Sequence, residues 1–280
     1  MHVLREALAK FLEEDIGRGD ITSEVVPDNI VNAKIICNER AAIAGLHEAS
    51  ILFDMVKCKA KSFVEEGSFV RPKTTIMIVI GNARSILAAE RTVLNVLMRM
   101  SGIATETRKF VDEVKKVNPS VRIACTRKTA PGFRIFDKRA VKVGGGETHR
   151  MRLDDMVLIK DNHLAIVGSV SKAVRLAKQM HGSKNKVEVE VRSLKGAIDA
   201  INAGADIIML DNLKVRQVHA IVKTLSRKGL RSTVTIEVSG EITHENARQY
   251  ASADIDMISI GSITHSVKAI DMSLQIIRKK

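Results

Sequence analysis

The chain has 280 residues, of which 45% are hydrophobic and 28% are charged, a composition typical of a globular protein with a large buried core. No apolar stretch approaches the roughly 18 to 20 residues that a membrane helix needs, and the acid-containing N-terminal segment is not typical of a signal peptide, so we expect a cytoplasmic protein. The formal net charge of +13 predicts attraction to anions, but one Tyr and no Trp argue against a nucleic-acid-binding module, which usually stacks bases on aromatic rings.

The N-terminal part of the chain mixes helical patterns with short β-like runs. Helical periodicity covers residues 3–14 and 45–57, and the β-like runs are AKIICNER and TTIMIVIGN. From Ala83 a long apolar helical pattern continues towards Lys116. We therefore predict a mixed α and β region ahead of the rest of the chain.

After Asn118-Pro119 short apolar strands alternate with amphipathic helices. The predicted strands are VRIACT (121–126), MVLIK (156–160), VEVEV (187–191), DIIMLD (206–211), TVTIEVS (233–239) and DMISIG (256–261). Helical patterns cover 165–180, 194–203, 213–228 and 243–252. This alternation predicts parallel βαβ units. Because no dinucleotide-binding fingerprint follows the first strand, a closed or nearly closed α/β barrel is favoured over a doubly wound sheet.

The three cysteines predict neither disulfides nor a zinc site. Cys37, Cys58 and Cys125 are an odd number in a long chain and have no CxxC spacing. We expect them to be small core residues.

Polar residues follow every predicted barrel strand. They are Thr126, Arg127 and Lys128; Lys160, Asp161, Asn162 and His163; Glu190 and Arg192; Asp211 and Asn212; Ser239 and Gly240; and Gly261 and Ser262. Residues 121–163 alone carry ten Lys and Arg against five Asp and Glu. Parallel α/β folds collect their chemistry at the carboxyl ends of the strands, so we predict an active site at this rim.

The residue types at the rim indicate which groups it could bind. The cations Arg127, Lys128, Lys160 and Arg150 suit a substrate with more than one acidic group. Glu190 and Asp211 suit a metal-bound pyrophosphate, ribose hydroxyls or positive charge developing on a sugar carbon. The pairs Ser239-Gly240 and Gly261-Ser262 are better candidates for a phosphate site than the glycine run 144–146, because they stand between a late strand and a helix.

Several long motifs resemble the quinolinate phosphoribosyltransferase family. They are, in the family's order, EDIGRGDIT, ERTVLNVLMRMSGIA, TRKTAPGFR, GGGETHR, LIKDNH, VEVEV, IIMLDN, IEVSGEIT and ISIGSIT. The resemblance implies transfer of a phosphoribosyl group from phosphoribosyl pyrophosphate to quinolinate, with loss of carbon dioxide and a requirement for Mg²⁺. It also implies an N-terminal α+β sandwich-like domain (1–102), an incomplete α/β barrel (103–265) and a C-terminal helix (266–280) packing back on the first domain.

The resemblance also assigns roles to individual residues. The quinolinate-binding residues would be Arg91, Thr126, Arg127, His149, Arg150 and Lys160, with Arg91 contributed by the other subunit of a homodimer or a higher oligomer. Those for phosphoribosyl pyrophosphate would be Lys128, Glu190, Asp211, Ser239, Gly240, Glu241, Gly261 and Ser262. The expected catalytic groups are Lys128, Lys160, Glu190 and Asp211. Mg²⁺ would be held mainly by substrate, with Glu190 and Asp211 as direct or water-mediated ligands.

Two positions depart from the family's pattern, and several alternatives stay open. Glu241 stands where the family usually has a second glycine, and Ala130 stands where threonine is common. A carboxylate beside a phosphate would repel it, so we expect Glu241 to point away. Glu190 and Asp211 could instead be structural ion-pair partners, and His163 could be a capping residue that supports Lys160.

Other functions compete with the leading hypothesis. A related transferase could use nicotinate or the acceptor of the molybdenum-transport-associated paralogues, although the intact KDNH argues against the paralogues. The cluster of Arg127, Arg150 and Lys160 favours a dicarboxylate acceptor. A basic nucleic-acid-binding protein remains a more distant alternative.

Overall fold

The computed structural model describes residues 2–182 and 184–277. In chain order, the helices are α1 His2–Ile16, α2 Leu46–Met55, α3 Ala83–Lys115, α4 Arg134–Val143, α5 Asp161–Val167, α6 Val170–His181, α7 Leu194–Asn202, α8 Val215–Arg227, α9 His244–Ala251 and α10 Ser262–His265. The strands are β1 Ile30–Cys37, β2 Ala41–Ala42, β3 Lys59–Ser62, β4 Phe69–Val70, β5 Thr74–Asn82, β6 Arg122–Cys125, β7 Val157–Ile159, β8 Val187–Val191, β9 Ile207–Asp211, β10 Thr235–Ser239, β11 Met257–Ile260 and β12 Met272–Ile277.

The chain divides into two compact units. Among the described residues, the first unit contains 2–108, 129–145 and 264–277, and the second contains 109–128, 146–182 and 184–263. The division falls within α3, and α4 belongs to the first unit, whereas the sequence predicts a continuous barrel domain over 103–265. The side chains of α4 explain this grouping, because Asp137 pairs with Arg99 of α3 at 2.8 Å and the Phe136 ring contacts that of Phe11 in α1.

The first unit is built on an antiparallel sheet with strand order β12-β1-β5-β3, and a two-stranded β2-β4 ribbon accompanies it. Along β1, Ala33 and Ile35 are fully buried, while Asn32 is exposed and Lys34 is half-buried, which is the alternation of a sheet with one face on a core. Met77 of β5 and Phe53 of α2 complete that core. The predicted N-terminal α+β domain is confirmed.

The C-terminal segment is a strand, so the predicted helix over 266–280 is wrong. Residues 272–277 form β12, which pairs antiparallel with β1 from Cys37 opposite Met272 to Asn32 opposite Ile277. The far side of β1 pairs with β5, so β12 supplies hydrogen-bond partners for an edge that would otherwise be open. The end of the predicted helix, residues 278–280, lies outside the described residues.

The second unit is an open parallel α/β barrel, as predicted. Its six strands have the order β6-β11-β10-β9-β8-β7, so chain order is followed from β7 to β11 and β6 then pairs with β11. The edge strands are β6 and β7, which leaves the barrel incomplete. All five residues of β8 are buried, because helices cover parallel strands on the outer face and other strands face them inside.

Two further predictions can be compared with the structure. Cys37, Cys58 and Cys125 are all buried, which confirms them as core residues. Within the described ranges, no helix has the length and apolar character that crossing a membrane would require.

Candidate active site

A cleft of about 420 Å³ opens within the second unit at the carboxyl ends of its strands. This volume is in the range of small-molecule sites. All six strands contribute to its lining, as the sequence predicts for the rim. The lining residues are Cys125, Thr126, Arg127, Lys128, His149, Arg150, Leu158, Lys160, Glu190, Met209, Asp211, Asn212, Glu237, Ser239 and Ser259.

The segment GGGETHR reaches the cleft by running beside the edge strand β6. Gly145 takes a left-handed conformation with φ 91°, and Glu147 then forms a parallel bridge with Ala124. The Glu147 N–H donates to the carbonyl of Ile123 at 2.7 Å. This single bridge adds Glu147 to the edge of the sheet, so that His149 and Arg150, which follow it, line the cleft.

Two arginines of like charge line the same cleft. Arg150 is only 8% exposed, and its pKa is lowered by burial and then by the neighbouring Arg127, which outweigh the attraction of nearby carboxylates. The Nε of Arg127 is buried and has no hydrogen-bond partner among the residues that the structure describes. A bound anion would relieve both conditions, because it would offset the repulsion and accept hydrogen bonds.

His149 lies over a pair of buried carboxylates. Its Nε2 is 3.2 Å from Oε2 of Glu188 and 3.4 Å from Oε2 of Glu237. Burial alone would lower the pKa of His149, but the two carboxylates raise it to about 9. Burial raises the pKa of Glu188 to about 7, although His149 opposes that change. The imidazole is therefore held as a cation at neutral pH.

Glu188 and Glu237 were not among the predicted site residues. A signal for them is present in the sequence, because period 2 places Glu188 and Glu190 of VEVEV on the same face of β8. Glu237 likewise interrupts the apolar run of β10. A carboxylate inside an apolar barrel strand needs a specific partner.

The predicted carboxylates Glu190 and Asp211 line the cleft and have cationic partners. Glu190 pairs with Lys160, and Asp211 accepts from Asn212 at 2.8 Å and lies 3.3 Å from Arg192. Their side chains are 11% and 14% exposed. The ion pairing that the sequence left open is thus present, in groups that still line the cleft.

The loop after β10 is closely packed against the end of β9. Gly240 has φ 98°, and a Cβ added there would lie 2.2 Å from Oδ1 and 2.8 Å from the backbone N of Asn212. Asn212 itself has φ 53°. Glu241 is exposed, and its carbonyl accepts from the Asn246 side chain at 3.0 Å.

His163 is a capping residue. Its Nδ1 accepts from the backbone N–H of Lys160 at 2.9 Å, at the start of α5. This agrees with the alternative that His163 supports Lys160. The helix α5 itself was not predicted. The cap fixes the backbone from which the Lys160 side chain extends to Glu190.

The structure brings most of the predicted site residues into one cleft. Those that line it are Thr126, Arg127, Lys128, His149, Arg150, Lys160, Glu190, Asp211 and Ser239. Gly240, Glu241, Gly261 and Ser262 follow the neighbouring strands without being among the lining residues. Arg91 belongs to the first unit and is exposed on α3.

Nearly the whole chain is similar to known proteins. Residues 20–101 match the model for the N-terminal domain of quinolinate phosphoribosyl transferase, and residues 103–275 match the model for its C-terminal domain. A probable nicotinate-nucleotide pyrophosphorylase [carboxylating] of Archaeoglobus fulgidus is 45% identical over 93% of this chain and 99% of the relative. One from Methanocaldococcus jannaschii is 44% identical over 97% and 96%. The solved nicotinate-nucleotide pyrophosphorylase of Francisella tularensis superposes with a TM-score of 0.91 at 37% identity, covering 98% of this chain and 96% of that one.

Proposed function

The chain belongs to the quinolinate phosphoribosyltransferase family, and on that premise we propose that it makes nicotinate mononucleotide for NAD biosynthesis. In this reaction the ring nitrogen of quinolinate displaces pyrophosphate from phosphoribosyl pyrophosphate, and one ring carboxylate leaves as carbon dioxide. Full-length relatives that carry the carboxylating pyrophosphorylase name support this activity.

The observation that supports quinolinate as the acceptor is that two arginines lie close together in the cleft. Arg127 and Arg150 line it together, and Arg127 contributes to lowering the pKa of Arg150. A ring with two adjacent carboxylates would accept hydrogen bonds from these groups and offset their mutual repulsion. Nicotinate has a single carboxylate and would leave part of this charge uncompensated.

Phosphoribosyl pyrophosphate is proposed to lie toward Lys128, Glu190, Asp211 and Ser239. The pyridine nitrogen already has a lone pair, so little covalent help is needed and the residues act by positioning and electrostatics. Glu190 and Asp211 would stabilise positive charge that develops on the sugar carbon as pyrophosphate leaves. Lys160, next to Glu190, would contact the acceptor, so it joins the two halves of the site.

Glu190 and Asp211 also fit the proposed Mg²⁺. They offer carboxylate oxygens from the adjacent strands β8 and β9, and oxygen ligands are those that Mg²⁺ prefers. Both carboxylates already have cationic partners, Lys160 and Arg192, so direct or water-mediated contact would have to compete with these pairs. A bound Mg²⁺ would neutralise charge on the leaving pyrophosphate.

The assembly and the cell compartment are further parts of the proposal. We propose a homodimer in which the exposed Arg91 of one subunit contacts quinolinate in the other subunit's cleft. The enzyme would act in the cytoplasm. A test of the dimer is to mix the inactive variants Arg91→Ala and Arg150→Ala, since a shared site predicts partial recovery of activity in heterodimers.

The test of the function is an assay with purified protein, phosphoribosyl pyrophosphate, Mg²⁺ and either quinolinate or nicotinate. We expect quinolinate to release carbon dioxide and give nicotinate mononucleotide and pyrophosphate in equal amounts. We expect nicotinate to react at least about tenfold more slowly in kcat/KM, because it lacks the second carboxylate that the cations of the cleft would bind. Absence of turnover with quinolinate would reject the proposal, and faster turnover with nicotinate would change the acceptor.

A further inference from the structure

We propose that Glu188 and Glu237 are positioning residues that hold His149 as an oriented cation in the wall of the cleft. They lie on β8 and β10, the two strands that flank β9. This inference rests on the proposed function, because it assigns these carboxylates a part in binding the dicarboxylate acceptor through His149.

The contacts of the two carboxylates point to His149. Both side chains are fully buried, and their oxygens have no hydrogen-bond partner elsewhere among the described residues. The His149 Nε2 lies 3.2 Å from one and 3.4 Å from the other. A buried carboxylate without a partner is strongly destabilising, so the imidazole, together with Arg150 near Glu188, makes this arrangement tolerable.

A purely structural role explains these residues poorly. The interior of an α/β barrel is usually filled by branched aliphatic side chains, and replacing a buried ion pair with well-packed apolar groups is often neutral or stabilising. Here two carboxyl groups share one imidazole, which is one acidic group more than a simple ion pair needs. We therefore expect Glu188 and Glu237 to act locally, by fixing the orientation and the charge of His149.

The backbone of His149 contributes to the same orientation. His149 has φ 49°, a left-handed conformation that non-glycine residues adopt at an energetic cost. The bridge between Glu147 and Ala124 fixes the chain just before it. With the backbone turned in this way, Nε2 faces the carboxylates while the ring still lines the cleft.

The protonation of His149 follows from the same neighbours. The carboxylates raise its pKa to about 9 against the effect of burial. Without one of them, burial would favour the neutral ring. His149 would then lose its positive charge, although its side chain would still line the cleft.

The test compares Glu188→Gln and Glu237→Gln with His149→Gln and the double variant Glu188→Gln/His149→Gln. Glu48→Gln is the matched control, because Glu48 is also fully buried and pairs with an arginine, Arg139, at 3.0 Å in the first unit. We expect each site variant to raise KM for quinolinate about tenfold, as loss of one charge-assisted hydrogen bond implies. KM for phosphoribosyl pyrophosphate should stay within about twofold.

The double variant is the decisive comparison. If Glu188 acts through His149, the double variant should be no worse than His149→Gln alone. The ring nitrogen NMR signals of His149 at pH 7.5 should change from an imidazolium to a neutral pattern in Glu188→Gln. Glu48→Gln should leave both KM values and those NMR signals unchanged.

Three outcomes would overturn the inference. Additive losses in the double variant would show that Glu188 acts independently of His149. An unchanged KM for quinolinate, with a fall in melting temperature like that of Glu48→Gln, would make the role structural. If the wild type bound one Zn²⁺ per chain and neither Glu variant did, His149, Glu188 and Glu237 would form a metal site, since their three ligand atoms lie within 4.8 Å of one another. Failure of the wild-type enzyme to use quinolinate would instead reject the proposed function.

Discussion

Two clusters of buried charge in this chain are compensated in opposite ways. In the first unit, the fully buried Asp137 accepts two hydrogen bonds from Arg99, each at 2.8 Å. In the second unit, Arg127 and Arg150 line one cleft, and Arg127 contributes to lowering the pKa of Arg150. The first cluster is complete within the protein. The second brings two like charges together, and a bound anion would offset their repulsion, which is how a binding site differs from a structural ion pair.

The largest expected effect comes from removing one cation of the cleft. Arg150→Ala should lower kcat/KM for quinolinate on the order of 1,000-fold, because it removes a largely desolvated partner of a carboxylate. Steady-state kinetics with quinolinate varied will measure this. Arg152→Ala is the control, since Arg152 is two residues away, 73% exposed and paired with Asp154, which is 68% exposed. Equal losses in both variants would contradict the comparison.

The opposite result is expected for the structural cluster. Asp137→Asn should lower the free energy of unfolding by about 3 kcal/mol, because it leaves Arg99 without its charged partner. Denaturant unfolding will measure the loss. Activity at a temperature where the variant is folded should remain close to that of the wild type. A folded Asp137→Asn protein without activity would show that this cluster serves catalysis as well.

An intermediate effect is expected at Gly240. An added Cβ would lie 2.8 Å from the backbone N of Asn212, and the alanine would have to adopt φ 98°. Gly240→Ala should therefore displace the loop after β10 and the adjacent Asn212. We expect KM for phosphoribosyl pyrophosphate to rise about 30-fold, with a much smaller change for quinolinate. Gly229→Ala is the control, because it has a similar φ of 70° and nothing within 4 Å. A selective rise in KM for quinolinate would reject the proposed phosphate site.

The smallest expected effect is a pH dependence. The raised pKa of His149, about 9, means that its charge is present below this pH and is lost as pH rises through it. The charged groups facing it are Glu188 and Glu237, and Arg150 is a charged neighbour of Glu188. We expect kcat/KM for quinolinate to fall about tenfold across this range, and the fall should be missing in His149→Gln. A profile that is the same in both proteins would exclude His149 as its origin.

Much of the second unit could be predicted from the sequence because its signals are local. Short apolar strands, each ending in polar residues, predict both the parallel sheet and the rim, and nine of the predicted site residues line one cleft. The sequence also ranks the glycine run 144–146 below the late Ser and Gly pairs as a phosphate site, and in the structure this run leads the chain beside β6. The phosphate assignments at Gly240, Gly261 and Ser262 stay predictions.

The features that the sequence did not predict depend on contacts between distant residues. β12 forms because β1 offers an open edge, and nothing in MSLQII alone distinguishes that strand from a helix. α4 belongs to the first unit because of Asp137 and Phe136, whose partners lie far away in the chain. The trio of His149, Glu188 and Glu237 likewise requires knowing that β8 and β10 face one interior.

The most direct test of like-charge repulsion in the cleft is thermal unfolding of the wild type, Arg150→Ala and Asp137→Asn with and without quinolinate. Quinolinate should raise the melting temperature of the wild type and of Asp137→Asn, because a ligand stabilises the folded state that binds it. It should leave Arg150→Ala unchanged, and ligand-free Arg150→Ala should melt at or above the wild-type temperature. The account would be contradicted if ligand-free Arg150→Ala melted as low as Asp137→Asn and quinolinate still stabilised it.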